Sequence, residues 1–260
     1  MKAISKDGTS IDYDRTGSGP PLILVDGALC SRAFGPMPKL APLLAPHFTV
    51  YSYDRRGRGQ SGDTQPYAKE REIEDLAALI DEAGGSASLL GLSSGAALAL
   101  EAAASGLNVT RVVAYEPPFV GDNGRNRSEN YEPELKRLIA AGNRSGAVMY
   151  FMRTMVGVPV PFVILMRLMP WVWRKLKAVA HTLPYDAAVM SGFKVPRARL
   201  GGINVPTLAI YGSKTDARLK DAARAVADAI PGSERLALEG QTHNVSPAAL
   251  TPVAVKFLTA

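Results

Sequence analysis

Apolar and polar positions along the chain follow two rhythms. Short bounded runs, either continuously apolar or rich in β-branched and aromatic residues, occur at PLILV (21–25), FTVYSYD (48–54), SASLL (86–90), VTRVVAYE (109–116), TLAIYG (207–212) and SERLALEG (233–240). Each has the length and composition of a strand. Between them lie stretches whose apolar residues recur at helical spacing. These are MPKLAPLLA (37–45), EREIEDLAALIDEA (70–83), the small-residue run after Gly95, LKDAARAVADAI (219–230) and PAALTPVAVKFL (247–258). Gly84-Gly85 and Pro231-Gly232 are stop signals for two of these helices. At the N-terminus, KAIS and IDYDRT flank the turn signal DGT and predict a hairpin. Strands separated by helices of this length require right-handed crossovers, which predicts a mostly parallel sheet. Sites in such sheets lie at the carboxyl ends of the strands.

Composition adds bounds. A chain of 260 residues buries a substantial core, and 47% hydrophobic with 21% charged residues is ordinary for a globular protein. The single cysteine, Cys30, excludes an intrachain disulfide and suits a reducing compartment. MKAISKDGTS lacks the apolar segment of a signal peptide, so a cytoplasmic location is expected. The most apolar run, TMVGVPVPFVILM (154–166), is too short and too broken by prolines to span a bilayer.

Candidate chemistry begins at GLSSG (91–95), which follows a strand and opens a helix. Gly-x-Ser-x-Gly lets a chain turn sharply from strand to helix and leaves the middle serine strained and exposed. That serine is Ser93, the candidate nucleophile, and the backbone N–H of Ser94 is placed to serve an oxyanion hole. A serine needs a base, and the chain has three histidines. His47 precedes a strand near a surface, His181 lies among basic residues, and His243 falls just past the end of the last strand. Asp216 follows TLAIYGSKTD, also past a strand end. The order Ser93, Asp216, His243, each at a carboxyl edge, is more specific than any one residue alone.

The stretches YDRRGRGQS (53–61), GLSSG (91–95), YGSKTD (211–216) and GQTH (240–243) together resemble the α/β-hydrolase family over nearly the whole chain. The resemblance implies an α/β fold: a mostly parallel, doubly wound, eight-stranded-type sheet with helices on both faces and an inserted helical lid. It divides the chain into a core of residues 1–118 and 204–260 and a lid of residues 119–203. It also implies Ser93 as nucleophile, Asp216 as orienting acid and His243 as general base, with Ala28 and Ser94 N–H groups as the oxyanion hole. Glu116, after VTRVVAYE, is kept as an alternative acid. Asp54 and the arginines beside it are read as structural. One departure stands out: Asp26 occupies the place of the family's usual histidine before the oxyanion glycine. A carboxylate there is unfavourable unless it turns away or meets a cation. Cys30 reads as a packing residue.

Gly57, Gly59 and Gly62 fit a dinucleotide fingerprint, but no helix opens at those glycines, so no nucleotide cofactor is expected. No His or Cys spacing suits a metal. The predicted lid carries 13 Lys and Arg against 5 Asp and Glu, so the basic excess of the chain, net +6, belongs to it. It also holds Trp171, Trp173 and six of the eight methionines, which suit an adaptable apolar pocket. The expected partner is a small apolar acyl substrate. Nucleic acid is not expected because no basic module interleaved with aromatics is present. Stable membrane insertion is not expected, and the chain is expected to be a monomer or homodimer. The expected activity is cleavage of a small to medium apolar ester, thioester or lactone through an acyl-enzyme on Ser93. Rivals are carbon–carbon bond hydrolysis, perhydrolysis or lyase chemistry on the same residues, and a slow-turnover ligand-binding protein.

Overall fold

The computed structural model describes residues 1–122 and 131–260, so the stretch 123–130 of the expected lid lies outside the described residues. The strands are β1 (Lys2–Ile4), β2 (Ser10–Thr16), β3 (Pro21–Val25), β4 (Thr49–Tyr53), β5 (Ala87–Leu92), β6 (Val109–Tyr115), β7 (Thr207–Gly212) and β8 (Glu234–Leu238). They form one eight-stranded sheet in the order β1-β2-β4-β3-β5-β6-β7-β8. The expected hairpin is present: β1 pairs antiparallel with β2, and β2 pairs antiparallel with β4. Every other pairing, from β4 across to β8, is parallel.

The helices packed on this sheet are α1 (Met37–Leu44), α2 (Lys69–Glu82), α3 (Ser94–Ala104), α10 (Ala217–Ala229) and α11 (Pro247–Leu258). Strand neighbours point to opposite faces, so one strand serves two cores. Ile23, Val25, Leu89, Val112 and Ala114 face the core closed by α2, α3 and α10. Leu22, Leu24, Leu90, Leu92 and Val113 face the core closed by α1 and α11. Burial on both faces explains why β3 and β5 read as continuous apolar runs and not as alternating ones. The sheet is therefore doubly wound, as predicted.

The stretch between β6 and β7 is helical. It contains α4 (Glu132–Ala140), α5 (Arg144–Tyr150), a π-helical turn Phe151–Val156, α6 (Val160–Arg167), α7 (Pro170–Ala178), α8 (Leu183–Val189) and α9 (Arg197–Leu200). These helices share an apolar cluster of their own, including Leu135, Phe151, Leu176 and Leu183, and Leu29 from the loop after β3 joins it. The segment thus packs over the carboxyl end of the sheet. Among the described residues no helix is long and apolar enough to cross a membrane.

One feature departs from the apolar reading. The inner face of α2 buries Glu72 and Asp75 beside Leu76 and Leu79. They are there because the loop after β4 sends Arg55 and Arg56 inward. Arg55 meets Glu72 at 2.6 Å and Arg56 meets Asp75 at 2.7 Å. Burying these charges is tolerable only because each is paired and hydrogen-bonded.

Candidate active site

Five loops at the carboxyl ends of β3, β5, β6, β7 and β8 supply the polar residues of one site. At the end of β5 the chain turns through Ser93 into α3. Ser93 has φ 55° and ψ −124°, a conformation that L residues avoid. The strain is held in place by packing. A Cβ on Gly91 would strike the backbone of Gly95 and Ala96, and a Cβ on Gly95 would strike the carbonyls of Val25 and Asp26. The two glycines let α3 start hard against β5 and β3. Ser93 N–H donates to the carbonyl of Tyr115 at 2.9 Å, tying the turn to β6. The loop after β3 closes on the same turn: a Cβ on Gly27 would lie 3.2 Å from that of Ser93. Ala28, Ser93, Ser94 and His243 line one cavity of about 420 Å³.

His243 sits on the loop after β8 with its side chain 40% exposed, and its Nδ1 lies 2.6 Å from Oε2 of Glu116. Glu116 is fully buried and has a positive φ of 47°. Its Oε1 accepts from Gly212 N–H at 2.8 Å, and its Oε2 accepts from the Thr215 hydroxyl at 3.2 Å. A carboxylate only accepts, so Nδ1 carries the imidazole proton and Nε2 is the free basic nitrogen. Two further contacts place the ring. The Tyr115 hydroxyl donates to the carbonyl of Thr242 at 2.6 Å. Gly212, at the end of β7, has no Cβ where one would run into Gln241 and Thr242. The missing side chain allows the His243 loop to cross β7 and reach the end of β6.

The geometry corrects the expectation for Asp216. Its carboxylate is half exposed and caps α10, accepting from Arg218 N–H at 2.8 Å and Arg218 Nε at 2.9 Å. Asp216 lines the cavity rim, but the carboxylate on the imidazole belongs to Glu116. The reason is local. The turn Ser213–Thr215 ends in a helix start, and an Asp at that position is drawn to the unpaired N–H groups of the helix. The alternative acid, Glu116, takes the place expected of Asp216.

Asp26 is buried, and its Oδ1 accepts from Gly27 N–H at 3.2 Å. Its Oδ2 has no hydrogen-bond partner among the described residues. Burial pushes its carboxyl up to about 7, against the opposing pull of Arg58 and Arg55. Cys30 lies alongside, and burial together with Asp26 pushes its thiol up, which keeps it in the unreactive form. The cations anticipated near Asp26 are present but serve its backbone. Arg55 donates to the carbonyl of Asp26 at 3.2 Å, and Arg58 donates to the carbonyl of Gly27 at 2.6 Å.

Sequence reasoning missed Asp186 of α8. It is fully buried and receives Arg58 through both oxygens at 2.9 and 2.7 Å, Arg55 at 2.8 Å and the Ser94 hydroxyl at 2.8 Å. Burial works against its ionisation, but Arg58 and Arg55 prevail and hold it below the ordinary carboxylate range. The arginines of YDRRGRG therefore brace the β3 loop, the start of α3 and the inserted helices together. A single acid in LPYDAAV gives no local signal of this. Asp54 is structural as read, accepting from Arg32 N–H at 2.8 Å and Gln60 N–H at 3.1 Å. Gly57, Gly59 and Gly62 belong to this braced turn, and α2 opens only at Lys69. His47 is exposed, and His181 lies 4.0 Å from Asp63, so neither joins the cavity. Among the described residues no cluster of three or more His, Cys, Asp or Glu is arranged to hold a metal.

Comparison with known proteins agrees with this architecture. The model of the alpha/beta hydrolase family matches residues 18–255. The crystal structure of an alpha/beta hydrolase from Sphaerobacter thermophilus is 51% identical, with a TM-score of 0.91, covering 99% of this chain and 100% of that one. An enol-lactonase from Burkholderia xenovorans is 22% identical with a TM-score of 0.72, each chain covered over 100%. A thermophilic esterase from Thermogutta terrifontis is 22% identical with a TM-score of 0.68, covering 100% of this chain and 97% of that one. The last two likenesses are of fold alone.

Proposed function

The chain belongs to the alpha/beta hydrolase family, and from that premise we propose that it is a serine hydrolase working through Ser93, His243 and Glu116. One observation carries the reading: a strained serine shares a cavity with a histidine whose Nδ1 is held by a buried carboxylate. Nε2 of His243 takes the Ser93 proton as the hydroxyl attacks a carbonyl carbon. The Ala28 and Ser94 N–H groups receive the oxyanion, aided by the positive end of α3. His243 then protonates the leaving group, and water activated by the same nitrogen releases the acyl group. Glu116 accepts from Nδ1–H, fixes the tautomer and faces the imidazolium as it forms.

The lining supports the proposed substrate class. Phe151, Met155, Val158, Met190 and Phe193 make most of the wall apolar, and about 420 Å³ suits a small to medium ligand. A small to medium apolar ester, thioester or lactone fits, in a fold that also carries an esterase and an enol-lactonase. Because these five residues come from the segment between β6 and β7, that segment acts as the lid. The test is turnover of chromogenic esters of increasing acyl length, with Ser93→Ala alongside. Many turnovers by the wild type, reduced by roughly five to six orders of magnitude in the variant, are expected. Absence of turnover on every ester, with no labelling of Ser93 by a phosphonate, would overturn the reading in favour of a ligand-binding protein.

A further inference from the structure

Helix α6 poses a problem of burial. Its sequence, VPFVILMR, is apolar almost all round, which ordinarily marks a helix enclosed by protein. Yet among its residues only Val163 is buried. Val160, Phe162, Ile164 and Leu165 of α6, Leu168 of the connecting turn and Trp171 of α7 are between 41% and 72% exposed. Scattered exposed apolar side chains are normal on a surface, but this many within one helical hairpin form a patch that calls for a partner.

The charges around the patch identify that partner. Between Glu134 and Asp186 the chain contains no acidic residue at all. Those two flanking acids are already committed, Glu134 to Arg137 and Asp186 to Arg55 and Arg58. Arg153, Arg167, Arg174 and Lys175 are exposed within this acid-free stretch. Lys175 lies over an aromatic face, 5.2 Å from the ring of Phe34, which holds its charged end near the hairpin. Large apolar side chains with a tryptophan, on a stretch of chain that carries cations and no acid, are the composition of a surface that lies in a lipid interface. Anionic headgroups add attraction for each cation, which a neutral partner does not.

We propose that the face formed by α6 and α7 docks on an anionic lipid surface, with Phe162, Leu165, Leu168 and Trp171 immersed among the acyl chains and the neighbouring arginines and lysines on the headgroups. The protein lies on the membrane and does not cross it. Val156 to Pro159, which line the cavity, lead directly into α6, so the docked face and the cavity rim share one stretch of chain. If the serine hydrolase reading holds, the site then faces apolar esters presented by the interface. Docking itself does not depend on that reading.

The test uses binding and not turnover, so its failure and that of the hydrolase reading are distinguishable. Full-length protein is sedimented with vesicles of phosphatidylcholine alone or mixed with phosphatidylglycerol. It should co-sediment with the anionic vesicles, and the emission of Trp171 should shift to the blue, since Trp173 is already buried. Trp171→Phe should still sediment and lose the shift. Leu165→Asp combined with Leu168→Asp should weaken binding by about 100-fold or more with unchanged thermal unfolding. High salt should weaken wild-type binding by roughly fivefold for each cation engaged. Failure to bind anionic vesicles would overturn the proposal, as would equal binding to phosphatidylcholine alone. A lipid-free dimer in which Trp171 is already shielded would also overturn it, in favour of a second copy of this chain as the occupant.

Discussion

The ends of β6 and β7 lie side by side, and each is followed by an acid that fits the place of an orienting carboxylate. Glu116 is fully buried and receives Gly212 N–H, the Thr215 hydroxyl and His243 Nδ1. Asp216 is half exposed, and its oxygens serve the first turn of α10 and the guanidinium of Arg218. The difference lies in what each carboxylate is already bound to. Two of the groups that hold Glu116, Gly212 and Thr215, come from the β7 turn itself, so this turn supports the neighbouring strand's acid. A third acid past a strand end, Asp26 after β3, is buried like Glu116 but is held by fewer donors, a neighbouring backbone N–H on one oxygen with the weakly donating Cys30 thiol alongside. Burial among a full set of donors fixes where a carboxylate points, whereas the burial of Asp26 without them pushes its carboxyl up.

The sharpest way to break this comparison is to neutralise the first acid. Glu116→Gln keeps the shape but loses the charge and favours the wrong tautomer of His243. Turnover should fall by about 10⁴-fold with little change in KM, read from steady-state ester hydrolysis. A loss of less than tenfold would return the role to Asp216.

A smaller effect separates Glu116 from Asp26. The carboxyl of Asp26 is raised from 3.8 to about 7 in the folded protein, so the unfolded chain gives up this proton first as pH rises. The stability linked to it is full below pH 3.8 and is lost progressively up to about pH 7. Urea unfolding across this window should show that slope, on the order of 4 kcal/mol in all. Asp26→Asn should flatten it, and an unchanged slope in the variant would assign it to other groups.

The smallest effect is expected at Asp216. Asp216→Ala removes a helix cap, and should lower stability by about 1 kcal/mol in thermal or urea unfolding. Turnover should stay within about threefold of wild type, because the imidazole keeps its partner. A loss as deep as that of Glu116→Gln would mean that the two acids share one role.

Much of this molecule was legible before any coordinates. The strand and helix rhythm, the hairpin at the N-terminus and the turn at Ser93 all appear where the pattern puts them, and His243 reaches the cavity it was expected to share. Other features were not legible. The buried faces of α2 and α8 carry Glu72, Asp75 and Asp186, which an apolar-stripe reading assigns to solvent. They become intelligible only once Arg55, Arg56 and Arg58 are seen to turn inward.

What the sequence determined by itself were the features encoded within a few residues of chain. A strand, a helix and a Gly-x-Ser-x-Gly turn arise from local periodicity and local sterics, and neighbouring residues suffice to specify them. Which acid meets His243 was decided only by the tertiary structure, because the choice spans 127 residues and depends on Gly212 letting one loop cross another. The same holds for Asp186, which meets the Ser94 hydroxyl from 92 residues away. It holds too for α6, whose apolar sequence promised burial until the packing of the inserted helices left it facing outward. Charge pairing and burial are properties of neighbours in space, and these neighbours are brought together only when the sheet is assembled.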